Sequence, residues 1–222
     1  MDITDADRTK IENAVKTAEA KTSGEIVPLV VQRSAHYDSL RLRGTLFGLS
    51  IGGLLGCLFT VAQIPGPDSF EVLTLSLKTL SLLIVPTLIG GFIGGALLDR
   101  SVGFLRLIMP EDVIDDAIRT RAQRAFLEHE LFNTRDRTGI LIMVSLDERR
   151  VTVLSDTGIN SVVPETTWDA CVTLVLDGIK RGDFGAGMAE AIERCGQIVT
   201  DAGFEIRDDD TNELSNTLQV EA

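Results

Sequence analysis

Two long runs without a charged side chain constrain this sequence more than anything else in it: none occurs between Gly44 and Ile64, and none between Thr79 and Leu98. Each run is about 20 residues, the length that crosses roughly 30 Å of hydrocarbon at 1.5 Å per residue. They are expected to form a transmembrane hairpin over residues 44–98, with helices at about 44–64 and 79–98. Small residues recur through both runs. Gly48, Gly52 and Gly56 form one ridge, and Gly90, Gly91, Gly94 and Gly95 form overlapping ones. Such ridges let helix backbones approach closely where lipid supplies no hydrophobic drive, within one chain or between copies. Neither run contains a charge, which argues against a transport pathway. Pro86 is expected to kink the second helix.

Residues before the first run are polar and amphipathic, without the basic start of a signal peptide, so that run acts as an internal anchor. The connection from Pro65 to Glu71 is short and acidic, whereas Arg33, Arg41 and Arg43 precede the first run and Arg100 and Arg106 follow the second. The bias places both chain ends on the cytoplasmic side of an inner or plasma membrane, with Lys78 the one dissenting charge.

The remainder reads as one α/β domain in two pieces, 1–43 and 99–205. A helix is expected where Thr4 and Asp7 form a weak capping box ahead of Ile11, Ala14, Val15 and Ala18 at helical spacing. Glu25–Val31 reads as a strand buried on both faces. After the second run, 104–109 is expected at the headgroup level, and Pro110 opens a helix that ends by Asn133–Asp136. Residues 138–144 read as a second buried strand, turning at Asp147-Glu148 into a hairpin partner at 150–154. A helix after Pro164 carries Trp168, Cys171, Val172, Val175 and Ile179, and Asp183 caps the last helix through Met188, Ile192 and Cys195. Residues 206–222 are acidic, with no core to join, and are expected to be disordered. The first strand has no sheet of its own, and a stable sheet needs more than two strands, so the two pieces must join. That requires an even number of membrane crossings, as the charge bias does independently.

At net charge −12 the chain repels phosphate backbones, so nucleic acid is not an expected partner. The three cysteines, Cys57, Cys171 and Cys195, have no paired spacing and read as small buried hydrophobes. His36 and His129 are too few and too isolated for a histidine metal site, and His129 reads as a packing or capping residue. Asp156-Thr-Gly158 matches the aspartic-protease signature, but that chemistry needs two facing loops and the sequence supplies one. Asp183-Phe-Gly185 matches a kinase magnesium motif without the loops that accompany it. The candidate site is an acidic rim of Asp156, Glu165, Asp169, Asp183 and Glu25, since Ca²⁺ or Mg²⁺ takes carboxylate and carbonyl oxygens converging from loops. Competing roles exist: Glu165 and Asp169 suit a helix's first turn, and Asp183 suits a cap. Arg149-Arg150, with Arg135 and Arg137, are the compact basic features, fitting a solvated turn better than anionic lipid.

Four segments together resemble the TPM domain, named for a thylakoid-lumen acid phosphatase-like protein, a photosystem II repair factor and a receptor-modulating membrane protein. They are Thr22-Ser-Gly-Glu-Ile26 after its helix, the run from Thr138 to Val151, Asp156-Thr-Gly-Ile159, and Gly182-Asp-Phe184. The resemblance spans about Ile3 to Phe204 and skips the hairpin. It implies a three-layer sandwich, a mixed sheet with helices on both faces, and acid phosphatase activity, divalent-cation binding, or a part in photosystem repair or receptor assembly. The hairpin inside the domain departs from members that carry their hydrophobic helix at a terminus. No nucleophile–base pair or phosphate loop is visible, so the expected function is a membrane-anchored binding or assembly module. Its expected partners are the lipid bilayer and a protein partner or second copy. A metal-dependent phosphatase and a structural protein oligomerising through its glycine ridges are the alternatives.

Overall fold

Apolar strands that alternate with amphipathic helices fold by stacking the helices on the two faces of a sheet. The computed structural model describes residues 3–35, 38–61, 77–100, 110–207 and 213–221. The connection at 65–71, the segment 104–109, His36, Arg106 and residues 208–212 lie outside the described residues. The chain divides into two compact units, one of residues 1–35 with 112–222, the other of residues 36–111.

The first unit is built on a mixed sheet of four strands, β1 (Glu25–Val31), β2 (Gly139–Ser145), β3 (Arg150–Ser155) and β4 (Gln219–Glu221), in the order β3-β2-β1-β4. β1 and β2 pair in parallel with Glu25 opposite Gly139, and every residue of both is buried. That pairing joins the two pieces of the domain across the inserted hairpin. β3 runs antiparallel to β2, with Ile140 opposite Ser155 and Ser145 opposite Arg150.

Helices α1 (Asp5–Glu19), α6 (Asp169–Arg181) and α7 (Phe184–Asp201) lie on one face, over Ile26, Val30, Ile140, Ile142 and Val144. Alternation sends Val27, Leu29, Leu141 and Met143, all buried, to the other face. There α4 (Glu111–Glu128) contributes its buried stripe of Ile114, Ile118, Ala122, Ala125 and Phe126. Thr4 caps α1 in a complete box: its Oγ1 accepts from the Asp7 N–H at 3.2 Å, and its own N–H donates to Asp7 Oδ2 at 3.0 Å. The single turn α5 (Thr157–Asn160) follows β3, and a 3₁₀ turn, Glu165–Trp168, precedes α6. Gly178 and Gly187 mark where α6 and α7 cross: a Cβ on Gly178 would lie 2.5 Å from the Gly187 Cα.

The expectation that the chain beyond 205 has no core to join is corrected at its far end. Leu218 is buried in the core, and Gln219–Glu221 pairs in parallel with Leu29–Val31 as β4. A strand edge offers a row of unpaired amides and carbonyls, and three residues with one apolar anchor suffice to use it.

The second unit contains α2 (Asp38–Val61) and α3 (Leu77–Arg100). α2 starts ahead of the uncharged run, and Pro86 lies inside a continuous α3. The glycine ridges face each other within the chain. A Cβ on Gly48 would overlap the Gly90 carbonyl, one on Gly52 the Pro86 carbonyl, and one on Gly94 the Gly44 carbonyl. Leu42–Val61 is long and apolar enough to cross a membrane; Leu80–Ala96 is a shorter apolar stretch.

Candidate functional site

The parallel pair β1 and β2 gives the sheet two unlike ends, and the predicted acids distribute between them. At the starting end, Asp156 follows β3 and caps α5, its Oδ1 accepting from the Thr157 N–H at 2.6 Å. The same carboxylate takes a two-pronged ion pair from Arg137, with Nε to Oδ2 at 2.7 Å and Nη2 to Oδ1 at 3.1 Å. Asp156 is 3% exposed, so this pairing replaces its water. The Asp156 carboxylate holds the Arg137 guanidinium charge above its ordinary range. Arg137 itself has a positive φ of 58°, and Gly158 fits because any Cβ there would overlap the Asp136 and Arg137 carbonyls. Asp-Thr-Gly here is a staple between the end of β3 and the turn before β2.

Glu25 stands at the same end, 7% exposed, and accepts the Glu213 N–H at 3.0 Å. Beside it, Glu19 closes α1, accepts from the Ile26 N–H at 3.0 Å and pairs with the Asn216 amide. Burial pushes the Glu19 carboxyl up to about 8, against the pull of the Ile26 amide, and Glu25 raises it further. Two carboxyls thus meet at one buried point and fasten the segment leading into β4. The sequence signal for Glu19 was weak, because an acid in a helix's last turn opposes the macrodipole and reads as surface.

Asp183 caps α7, accepting from the Ala186 N–H at 3.0 Å, and meets Lys10 at 3.4 Å. Gly182 ends α6 with φ 76°, and Phe184 is buried, so Gly-Asp-Phe is a helix junction. Asp183 and Lys10 belong to the end where α1 begins, away from Glu19 and Ile26. The acidic rim is therefore not one site: among the described residues no three His, Cys, Asp or Glu side chains come together in a way that could hold a metal ion.

Glu165 and Asp169 instead line a cleft of about 470 Å³ along β3. Its walls are β3 itself, Asp115, Ile118 and Arg119 of α4, and Trp168 and Val172 on the α6 side. Arg150 at one end of β3 pairs with Asp115 at 3.5 Å. The Trp168 indole N–H is buried without a hydrogen-bond partner.

The far end of the sheet is a second polar cluster that sequence reasoning passed over as a turn. Asp147 accepts from Gln32 Nε2 at 2.6 Å and from Arg33 Nε at 2.8 Å. Glu148, 3% exposed, accepts from the Ser34 N–H at 3.1 Å and from the Ser145 hydroxyl. The β2–β3 turn thereby grips the chain as it leaves β1. His129 pairs with Glu221 at 3.0 Å, and Arg121 pairs with the same carboxylate, which fastens β4. The cysteines are corrected in part. Cys171 and Cys195 are buried as expected, but their sulfurs meet at 3.2 Å, and Cys57 is exposed.

The class this architecture defines is an α/β domain whose sheet closes across an inserted helical hairpin. Residues 100–198 match the model of the TPM domain. The match takes in β2, β3 and the helices around them; α1, β1 and β4 lie beyond it. Among solved structures, the BA42 protein from the psychrophilic bacterium Bizionia argentinensis, determined by NMR, is 20% identical with a TM-score of 0.55. It covers 99% of this chain and 96% of its own, and the two share a fold. The N-terminal domain of a P. gingivalis protein is 16% identical over 40% of this chain and 57% of its own, at a TM-score of 0.34 that carries no argument. No curated protein matches.

Proposed function

We propose that this chain is a membrane-anchored binding or assembly module, its TPM domain held at the cytoplasmic face of an inner or plasma membrane by a hairpin that crosses the bilayer twice. The observation that carries this reading is the outer surface of α2 and α3. Phe47 is 68% exposed and Phe92 79%, within a belt that includes Leu46, Leu54, Leu58, Phe59, Leu88 and Ile89. Only 22% of the Leu42–Val61 window is buried. A soluble protein rarely leaves so much contiguous apolar surface to water, and a core helix would be covered. Lipid covers it at no cost, while the glycine ridges hold the two helices together from inside. α3 supplies roughly 25 Å of apolar length at 1.5 Å per residue, short enough to require local thinning of the bilayer.

The hairpin's place in the chain supports the orientation. A split sheet needs both of its pieces on one side, and the flanking arginines put that side inside. The acids add no second reading, because Asp156 and Asp183 serve as caps with basic partners.

The test is extraction of membranes with alkaline carbonate, joined to a reporter fused after Ala222. The chain is expected in the pellet with the reporter active in the cytoplasm. A chain released into the supernatant would overturn the anchoring, and a reporter active only outside would overturn the orientation.

A further inference from the structure

We infer that the free edge of β3 is the surface on which a second copy of this chain pairs, strand to strand and antiparallel, to give one continuous sheet across two domains. This deepens the assembly reading and rests on it for its place at a membrane, but its evidence lies in the domain alone.

The hydrogen-bonding pattern of β3 follows from one contact. The Asp156 N–H donates to the Gly139 carbonyl at 2.9 Å. In an antiparallel ladder alternate residues point to the same neighbour, so Leu154, Thr152 and Arg150 bond to β2. Val151, Val153 and Ser155 therefore turn their amides and carbonyls outward. The Ser155 carbonyl is taken by Asn160 Nδ2 at 2.6 Å. The N–H and C=O groups of Val151 and Val153 remain, side by side along the floor of the cleft. Natural edges are blunted by inward charges, prolines, bulges or a covering loop. This one has no proline, and its two outward residues are valines. The buried Trp168 indole N–H adds another polar group at the same cleft without a partner.

Charge argues for a second copy as the occupant. α7 begins beside the start of α1, through Asp183 and Lys10 at 3.4 Å, whereas the end of α1 meets the start of β1, through Glu19 and Ile26 at 3.0 Å. α6 therefore starts at the end of the sheet where β1 starts and β3 finishes. Glu165 and Asp169 stand at the Ser155 end of the cleft, and Arg150 stands at the other. An antiparallel second strand brings its Arg150 to this copy's Glu165 and Asp169, and the exchange repeats about a two-fold axis. Centred on Thr152, that axis places Val151 opposite Val153 of the second copy, making four backbone hydrogen bonds. Thr152 then faces its own counterpart in a non-bonded pair, an arrangement favourable for threonines.

The full-length chain in mild detergent, with Cys57→Ser as background, tests this. Directly opposed non-bonded positions have Cα atoms about 4.5 Å apart, within disulfide reach. Thr152→Cys is expected to give an oxidised dimer, while Leu127→Cys on an exposed helix position gives none. Val153→Pro removes an outward N–H and leaves the β2 ladder intact, so it should raise the dimer Kd at least about tenfold without loss of secondary structure. Should that variant fold poorly, Thr152→Lys sets two ammonium groups against each other on the axis and touches no backbone. A chain that stays monomeric at about 100 µM, or a Thr152→Cys chain that does not cross-link, overturns the inference. A dimer that survives both Val153→Pro and Thr152→Lys also overturns it. That last result leaves the assembly reading standing and transfers assembly to the hairpin.

Discussion

Asp156 and Glu19 are both carboxylates at the starting end of the sheet, and their surroundings give them opposite tasks. Asp156 is met by a guanidinium and a backbone amide; Glu19 is met by another carboxyl and an amide. Removing Arg137 leaves Asp156 buried without its cation, so Arg137→Ala is expected to lower the denaturation midpoint. Gly158→Ala should cost about 1–3 kcal/mol by forcing a methyl against the Asp136 and Arg137 carbonyls. Glu19 predicts a pH dependence. Its folded pKa, about 8, lies above its ordinary 4.5, so across that window the folded domain keeps a proton that the unfolded chain releases. Stability therefore falls as pH rises through the window, by at most about 1.4 kcal/mol per pH unit, and levels off above it. Glu19→Gln should flatten that slope in melts taken on both sides of neutrality; an unchanged slope would remove the carboxyl pair as its source. Of these residues only Asp156 was prominent in the sequence, and for the wrong chemistry. A carboxylate before Thr-Gly looks the same whether it faces a substrate or an arginine, and Arg137 is identifiable as its partner only once β2 and β3 are paired.

Elements were far more legible than sites, because burial on two faces leaves a mark in sequence that side-chain partnership does not. β1 and β2 read as continuous apolar runs and are buried at every residue. The capping box at Thr4, the hairpin at Asp147–Arg150 and the cap at Asp183 followed from local chemistry that acts within a few residues. β4 escaped because three residues carry no periodicity, and its partner lies nearly two hundred residues earlier. Leu218→Ala tests how much that short strand contributes: a cost of about 2–4 kcal/mol is expected, together with faster amide exchange along the β4 side of β1. In the hairpin, Gly52→Leu should separate α2 from α3. A Cβ on Gly53 would lie 3.5 Å from Thr87 Oγ1, so a disulfide between Gly53→Cys and Thr87→Cys is expected to form in the parent and be lost in that variant.

At the scale of the whole molecule, the sequence separated a water-facing domain from an apolar hairpin and required the domain's two pieces to meet. What it could not convey was how the pieces are fastened. At one end Asp147 and Glu148 hold Gln32, Arg33 and Ser34; at the other Glu19 and Glu25 hold the approach to β4. Both fastenings are long-range pairings of polar residues that look like solvated turns when read in order. Replacing Glu148 with Ala strands the Ser34 amide and the Ser145 hydroxyl in a buried place, so it is expected to lower the midpoint of the whole domain by about 1–3 kcal/mol. A change confined to one local segment would show instead that the two pieces do not melt together.

The parallel pairing of Glu25 with Gly139 also sets a timetable. β1 leaves the ribosome before the hairpin, yet its first neighbour in the sheet is made over a hundred residues later and its second later still. At about 5–20 residues per second, an apolar strand with both edges open waits on the order of ten seconds for β2. Through that interval the two apolar helices have already emerged and can enter the bilayer. Under the proposed anchoring, insertion comes before folding, and the nascent β1 is the segment that a chaperone has most reason to shield.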